Sequence, residues 1–311
     1  GYSDRHITFA SILATENNTV VSFKDIKSAV IPINNLLTGT TLPSVTLNSG
    51  ESYTIAVKGP YAANNDALIG ALVSSNKPIA VNCGSFAGSN GPLPGNIDLG
   101  IDQIVSAERT GTEYIFIKST GNDYLEKVVL VAHEDNTEIF LNGSSTANYT
   151  INAGEYVSLL GSNYNVEGNL YVRSSKNVFA YQSVGDDSRP DEANQEMFFV
   201  PPLSCETPKE IDNIPAIESV GNRIFTGRVT LTTKTGSALK FLINATAYTL
   251  ATLPNYITVV GPTAVTGNPD YECYVLTGLT GNVSVFSTTQ LYLAAYGSDG
   301  AATFGGYYSG F

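Results

Sequence analysis

Apolar and polar residues alternate along most of the chain, and turns rich in Gly, Asn and Asp interrupt the alternation every ~8–12 residues. Residues 13–23 and 131–141 each contain two alternating runs joined by a polar turn, which predicts a β-hairpin in both places. No stretch carries a sustained helical stripe of apolar residues, so very little helix is expected. The pattern predicts an all-β chain of antiparallel β-sandwiches, of jelly-roll or immunoglobulin-like type.

Three blocks of sequence recur in the same order along the chain. The hairpin block occurs at 13–23, 131–141 and, more weakly, 231–241; the second block at 45–55, 149–159 and 248–259; the third at 74–81, 174–181 and 287–296. A period of about one hundred residues indicates whole domains rather than solenoid turns. We therefore predict three related sandwich units, at residues 1–105, 106–212 and 213–311.

The charge of the chain limits the classes of partner that are expected. The 311 residues carry a formal net charge of −12, and only 14% of them are charged. A surface of this sign repels phosphate backbones and anionic lipid, so neither nucleic acid nor a membrane surface is an expected partner. No apolar run is long enough to span a bilayer, so membrane insertion is not expected. A low-charge, β-rich composition is typical of exported proteins, and we predict an extracellular or cell-surface location.

Residues suited to catalysis are scarce. His6 and His133 are the only histidines, and His133 lies beside a hairpin turn, where a surface position is expected. Cys83 has no neighbouring cationic cluster that would lower the pKa of its thiol. The sequence holds no zinc-protease, serine-hydrolase or phosphate-loop motif. We therefore predict that the protein is not an enzyme and requires no cofactor, with Ca²⁺ as the one candidate ion.

Two long connections follow the third block, and loops on rigid sheets often carry binding. One spans 87–100, and the other spans 186–196 and is rich in carboxylates. The candidate ligand-binding residues are Asp186, Asp187, Asp191, Glu192 and Tyr164. Three of them, Asp186, Asp187 and Asp191, are also the candidate ligands of Ca²⁺, which prefers carboxylate oxygens. A solvated acidic surface is the alternative reading, because the run lacks the spacing of an EF-hand.

Three cysteines are too few for a disulfide scaffold, and none forms a CxxC pair. Cys83 lies in an apolar run and is expected to be a free thiol. Cys205 and Cys273 could form a disulfide if the chain is exported, although sequence spacing cannot show that they are close.

The repeated blocks resemble those of the IgGFc-binding protein N-terminal domain family and its bacterial relatives. The resemblance rests on the hairpins at 14–19 and 132–137, the Gly-Glu turns at 50–53 and 154–156, and the segment 75–81. Residues 199–205 and 301–311 resemble large Bacteroidetes surface proteins, which implies export by the type IX route and a relation to gliding and adhesion. The matching motifs are structural and bring no catalytic residues with them.

These features favour a non-enzymatic surface protein segment that adheres or binds a ligand through its loops. A structural subunit of an extracellular filament or sheath is the first alternative. A carbohydrate-binding module is the second, with exposed tyrosines stacking on sugars, although the absence of Trp weakens it. The expected partner is a protein or a glycan at a cell or matrix surface. The sequence leaves the oligomeric state open.

Overall fold

A computed structural model of the chain describes residues 7–27, 42–58, 64–88, 98–185, 197–300 and 302–309. Their regular secondary structure is almost entirely β-strand, with short 3-10 helices at Ala107–Arg109, Gly161–Asn163 and Leu250–Thr252. All strand pairs are antiparallel in the described ranges, which confirms the predicted all-β fold class. Within the same ranges, no helix has the length and apolar character needed to cross a bilayer.

The first sandwich consists of two β-sheet layers, and its first hairpin contributes one strand to each layer. Its strands are β1 (Ile7–Ala14), β2 (Thr19–Lys24), β3 (Leu42–Leu47), β4 (Ser52–Lys58), β5 (Leu72–Ser75), β6 (Ile79–Gly88) and β7 (Asp98–Ile104). One layer has the order β4-β1-β6-β7 and the other β3-β2-β5. Because β1 and β2 lie in different layers, the alternating residues Ile12, Ala14, Val21 and Phe23 all face one core, where each is at most 3% exposed.

The second sandwich has the same arrangement around one long strand. Its strands are β8 (Gly111–Ile117), β9 (Val128–Ala132), β10 (Thr137–Leu141), β11 (Tyr149–Ile151), β12 (Tyr156–Leu159), β13 (Asn169–Ser183) and β14 (Met197–Phe199). The first part of β13 pairs with β8 and β10, and its last part pairs with β9 and β14. This strand therefore belongs to both layers and corresponds to β5 and β6 of the first sandwich joined end to end.

The third sandwich follows the same order with additional strands. Its strands are β15 (Glu210–Ile214), β16 (Ser219–Val220), β17 (Arg223–Ile224), β18 (Thr226–Lys234), β19 (Leu239–Ile243), β20 (Thr246–Thr249), β21 (Thr258–Ala264), β22 (Tyr271–Thr277), β23 (Val283–Ser287), β24 (Leu291–Asp299) and β25 (Ala302–Tyr307). One layer is β21-β22-β18-β24-β25, and the other is β15-β23-β19-β20. Since β15 pairs with β23, this sandwich begins by Glu210, inside the stretch predicted for the second unit.

The same order of strand pairing thus occurs in each of the three sandwiches. The first hairpin strand (β1, β9 or β18) lies between an edge-side neighbour (β4, β12 or β22) and a central strand (β6, the end of β13, or β24). The residues that close the hairpins, Asn18, Asn136 and Gly236, have positive φ values of 57°, 55° and 78°. Asn and Gly adopt this left-handed conformation readily, which explains the turn composition seen in the sequence. The division into three domains remains a prediction.

Candidate binding surface

The three repeated blocks of the first sandwich meet at one of its ends and form a polar cluster. Asn17 and Asn18 lie in the hairpin turn, Asn48 and Glu51 in the turn between β3 and β4, and Lys77 between β5 and β6. The Asn18 N–H donates to Asn48 Oδ1 at 3.3 Å, and the Asn48 N–H donates to Glu51 Oε2 at 2.7 Å. The Lys77 ammonium donates to the carbonyl of Asn17. We call these five residues the first polar end cluster.

The second sandwich repeats this cluster with equivalent residues. The Asn136 N–H donates to Asn152 Oδ1 at 3.1 Å, and the Asn152 N–H donates to Glu155 Oε2 at 2.8 Å. The Lys176 ammonium donates to the Asp135 carbonyl at 2.6 Å. These residues are the second polar end cluster. In both clusters most polar groups already bond one another, so the clusters hold turns in place and leave few groups free for a ligand.

Removing the turn carboxylate should weaken both sandwiches equally. Glu51→Ala and Glu155→Ala each delete an acceptor for a turn N–H, and because the turns are exposed, water replaces part of the lost bond. We expect each variant to lose about 1 kcal/mol of unfolding free energy, measured by urea denaturation. Glu138→Ala is the control, because its exposed carboxylate lies on a strand. A loss confined to one of the two turn variants would show that the clusters are not equivalent.

The turn of the second cluster also contacts the first sandwich. Gly70 approaches Gly154 so closely that a Cβ on Gly70 would lie 1.9 Å from the Gly154 carbonyl oxygen. The Tyr156 hydroxyl donates to Asp66 Oδ2 at 3.1 Å, and Lys27 pairs with the same carboxylate. Lys27 lowers the pKa of the Asp66 carboxyl through this hydrogen bond, against a smaller opposing effect of burial. The polar end of the second sandwich is therefore partly covered, whereas Gly50 in the first cluster has open space around it.

A tyrosine lies at a contact between the first and second sandwiches. Tyr181 on β13 packs against Phe199 at 5.8 Å between ring centroids and lies close to Cys83 and Asp102 of the first sandwich. Burial raises the pKa of the Tyr181 hydroxyl far above its usual value, and Asp102 and then Cys83 raise it further. Burial, followed by the charge of Asp102, also raises the pKa of the Cys83 thiol to about 11. Cys83 is a free thiol, as predicted, and stays protonated and unreactive at neutral pH.

The Tyr181 hydroxyl offers a test of this contact. It is buried and has no hydrogen-bond partner among the described residues. An unpaired buried hydroxyl carries a desolvation cost, so Tyr181→Phe should leave the unfolding free energy unchanged or raise it by up to about 1 kcal/mol. The matched control is Tyr156→Phe, which removes the hydrogen bond to Asp66 and should lower stability. Thermal and urea unfolding of both variants gives the comparison, and a clear loss in Tyr181→Phe would contradict the geometry.

The second and third sandwiches share a larger buried contact. Tyr296 of β24 is 5% exposed and belongs to the core cluster of the second sandwich. Tyr307 of β25 packs against Phe198 with 6.1 Å between ring centroids. A separate apolar cluster joins Ile115 and Tyr171 of the second sandwich to the third. The full membership of that cluster is Ile115, Ile117, Tyr171, Val265, Tyr271, Cys273 and Tyr292.

Glu126 lies where this contact meets the base of the acidic loop. Its side chain is 0% exposed, and Oε1 accepts hydrogen bonds from the N–H groups of Gly121 and Gly185 at 2.9 and 2.8 Å. Oε2 accepts from the Ser119 N–H at 2.8 Å. Burial raises the pKa of the Glu126 carboxyl to about 7, although these bonds and the charge of Lys118 lower it. The carboxyl therefore joins two loops, and Gly185 is the last described residue before the segment 186–196.

The sequence-predicted residues fall into two groups. Asp186, Asp187, Asp191 and Glu192 lie outside the described residues. Tyr164, the fifth candidate ligand-binding residue, is 9% exposed, and its hydroxyl accepts a hydrogen bond from Gln182 at 3.2 Å. Its ring is thus part of a core and cannot stack on a ligand. Across the described ranges, no group of three His, Cys, Asp or Glu side chains is placed to hold a metal ion.

The predicted disulfide is absent. Cys205 is exposed, Cys273 is buried between the second and third sandwiches, and both are free thiols. The Cys273 thiol contacts the Thr232 hydroxyl at 3.5 Å. His133 is exposed beside its hairpin, as predicted.

Sequence reasoning missed Glu126 and the tyrosines at the two contacts. Glu126 stands in a short polar connection, where a carboxylate is normally solvated, so no local signal marked it as buried. Tyr181 and Tyr296 do carry a signal, because each follows the inward-facing alanine (Ala180 or Ala295) at the end of the third repeated block. An aromatic residue at that outward position of two copies indicates a covered face.

One comparison with known proteins supports the family resemblance seen in the sequence. The sequence pattern of the family described as IgGFc binding protein matches residues 1–297. No curated protein matches the chain. Among solved structures, an anti-sigma factor domain-containing protein is similar at 9% identity over 94% of this chain and 97% of that chain, with a TM-score of 0.15, which is too low to support any argument. Members of the matched family are non-enzymatic binding proteins, typically outside the cell or on its surface. Since the match covers nearly the whole sequence, the chain belongs to the IgGFc binding protein family.

Proposed function

We propose that this chain is a non-enzymatic extracellular binding segment that attaches a protein partner at a cell or matrix surface. The observation that carries the proposal is the joining of successive sandwiches by contacts at Tyr181 and Phe199 and at Tyr296, which makes a tandem array. Three copies, with boundaries near 105 and just before Glu210, account for the recurring pairing order. A bacterial origin, type IX export and a role in gliding remain predictions.

The acidic loop is the proposed binding element. It connects β13 to β14, and the 89–97 connection likewise joins β6 to β7, so both loops leave the same position of a sandwich. Glu126 holds the base of the acidic loop through Gly185. We propose that Asp186, Asp187, Asp191 and Glu192 contact the partner, with Ca²⁺ bound by the three aspartates as a candidate bridge.

Binding can be tested on an array of purified extracellular proteins that includes the IgG Fc fragment, printed beside a glycan array. We expect saturable binding to protein spots. In a variant whose four loop carboxylates are replaced by amides, that binding should fall about tenfold or more, because charged contacts at a loop are lost. The control variant changes two exposed carboxylates elsewhere, Glu134→Gln and Asp135→Asn. A repeat in EDTA separates direct contacts from Ca²⁺ bridging.

The alternatives give different results in the same experiments. Binding to glycans without any protein spot would replace this proposal with a carbohydrate-binding module. Regular polymers of the purified chain under electron microscopy would favour the filament or sheath subunit. Hydrolysis of an arrayed polysaccharide would overturn the non-enzymatic assignment.

A further inference from the structure

The smaller layers of the three sandwiches differ at one edge. In the second sandwich, β10 pairs with the first part of β13, and that part of β13 pairs on its other side with β8. In the third, β19 pairs with β23, which pairs on its other side with β15. In the first, β2 pairs with β5, and no strand of the described ranges pairs with the other side of β5. The first sandwich therefore lacks an edge strand that the other two have.

This edge strand completes the core in the two sandwiches that have it. Tyr114 and Phe116 of β8 are each 0% exposed, and Ile211 and Ile214 of β15 are 8% and 3% exposed. Each strand thus inserts two large apolar side chains between the layers. Without such a strand, Val73 of β5 remains only partly buried at the border of the first core.

The backbone of β5 is oriented for pairing on its open side. The Asn76 N–H, just after β5, donates to the Val20 carbonyl of β2 at 3.3 Å. Because residues of an antiparallel strand alternate in the direction of their N–H and C=O groups, Val73 and Ser75 direct theirs away from β2. Two residues of a short strand therefore present donors and acceptors to an incoming strand.

The residues of β5 do not protect this edge. Proteins commonly block an open edge with charged residues, prolines or bulges. The edge strand β3 contains Pro43, the edge strand β21 contains Pro262, and each is bulged against its neighbour. By contrast, β5 has neither a charged residue nor a proline, and its register with β2 is regular.

The neighbouring sandwich leaves room for a strand at this edge. The second sandwich approaches the end of the edge at Gly70, which by strand register corresponds to Asn169 in the second sandwich. Asn169 Nδ2 likewise donates to the Ala264 carbonyl of the third sandwich at 3.0 Å, and Asn169 still pairs with Ile117 of β8. A following sandwich at this position is therefore compatible with an edge strand.

We propose that the open side of β5 binds an extended segment of a protein partner, which pairs antiparallel with β5 as an added edge strand. The segment carries large apolar side chains at alternate positions, as β8 does with Tyr114 and Phe116, and they enter the first core beside Val73. Main-chain hydrogen bonds hold the segment, and its alternate side chains set its specificity. The inference rests on the proposed function and names the chemistry of the partner.

A peptide that copies β8 is the probe. It has the sequence of residues 110–118, and the control peptide carries the changes Tyr114→Ser and Phe116→Ser. Both are labelled and titrated with the full chain, and binding is followed by fluorescence anisotropy. We expect saturable binding of the first peptide, at least about tenfold tighter than that of the control, because buried aromatic side chains dominate such interfaces. Equal affinity of the two peptides, or no binding, overturns the proposal.

Ser75→Pro locates the binding on β5. It removes an N–H group that points away from β2, so pairing with β2 is kept, while the affinity for the peptide should fall about tenfold or more. Thr46→Pro is the matched control, because Thr46 is an exposed residue of β3 at the opposite edge of the same layer. Binding that survives Ser75→Pro, or that falls equally in both variants, contradicts the proposal. Independently, hydrogen exchange of wild-type β5 should slow when the peptide is bound.

A fusion that carries the same peptide ahead of Gly1 on a Gly-Ser linker tests a second source of the strand. If the fused peptide slows hydrogen exchange of β5 and the free peptide does not bind, the edge accepts only a strand of its own polypeptide, and the proposal of a partner strand is overturned. Binding to the protein array is measured separately. Array binding without peptide binding removes this inference alone, whereas peptide binding without array binding contradicts the proposed function instead.

Discussion

Glu126→Ala should destabilise the protein by about 3–5 kcal/mol, because it leaves three buried N–H groups without their acceptor. Those groups belong to Ser119, Gly121 and Gly185, and their hydrogen bonds are 2.8 to 2.9 Å long. Gly121 and Gly185 pack backbone against backbone, since a Cβ on Gly121 would lie 2.4 Å from the Gly185 Cα. Urea denaturation gives the free energy, with the exposed Glu138→Ala as control.

The same carboxyl should make stability depend on pH. Its pKa is about 7 in the folded protein and 4.5 in the reference state, so the folded state holds the proton more tightly. Its contribution is therefore complete below pH 4.5 and is lost as the pH rises to about 7. The shift corresponds to about 3 kcal/mol. The measured quantity is the unfolding free energy of the wild type minus that of Glu126→Gln, from urea denaturation at pH 4 to 8. We expect this difference to become lower by roughly this amount as the pH rises. A difference that is constant or grows with pH would contradict the burial effect.

The hairpins and the all-β class could be predicted from the sequence, because patterns of neighbouring residues determine them. The turn at Asn17 and Asn18 combines a left-handed Asn with alternating runs on both sides, and neighbouring residues alone determine that geometry. The repetition of the blocks also indicated that they share one structural role. Their assembly into one polar end cluster could not be derived from spacing, since Asn18 and Asn48 are joined by a non-local contact.

The burial of single polar and aromatic residues could not be predicted, because it depends on distant segments. Tyr164 follows a short 3-10 helix in a Gly- and Asn-rich stretch, which favours exposure in the sequence. It is buried because Gln182 approaches from another strand and Tyr296 and Tyr307 approach from the third sandwich. Glu126 is likewise buried by a distant segment, since the N–H of Gly185 donates a hydrogen bond to its carboxylate. The candidate acidic loop was found by composition alone, and its contacts stay a prediction.

Tyr296→Ala should weaken the contact between the third sandwich and the second, which the apolar cluster around Ile115 and Tyr171 also holds. The side chain is 5% exposed and fills the end of the second core, beside Glu126 and next to Tyr307. Truncating a buried aromatic side chain costs about 3–5 kcal/mol, because apolar contact is lost and a cavity remains. Tyr296→Phe is the matched control, and its stability should stay close to that of the wild type because the hydroxyl is poorly hydrogen-bonded among the described residues.

The loss in Tyr296→Ala should be concentrated at the contact rather than inside either sandwich. Arg228 donates a part-buried hydrogen bond to the Thr120 hydroxyl at 3.3 Å across the contact, and such a bond contributes only about 1 kcal/mol, less than the loss of the ring. The core of the third sandwich does not depend on this ring, because its own side chains, such as Phe241 and Leu231, are fully buried. We therefore expect limited proteolysis of Tyr296→Ala to cut first between β14 and β15, where the wild type resists. Cleavage at the same rate in both proteins, or a loss of stability below about 1 kcal/mol, would show that the tyrosine does not hold the sandwiches together.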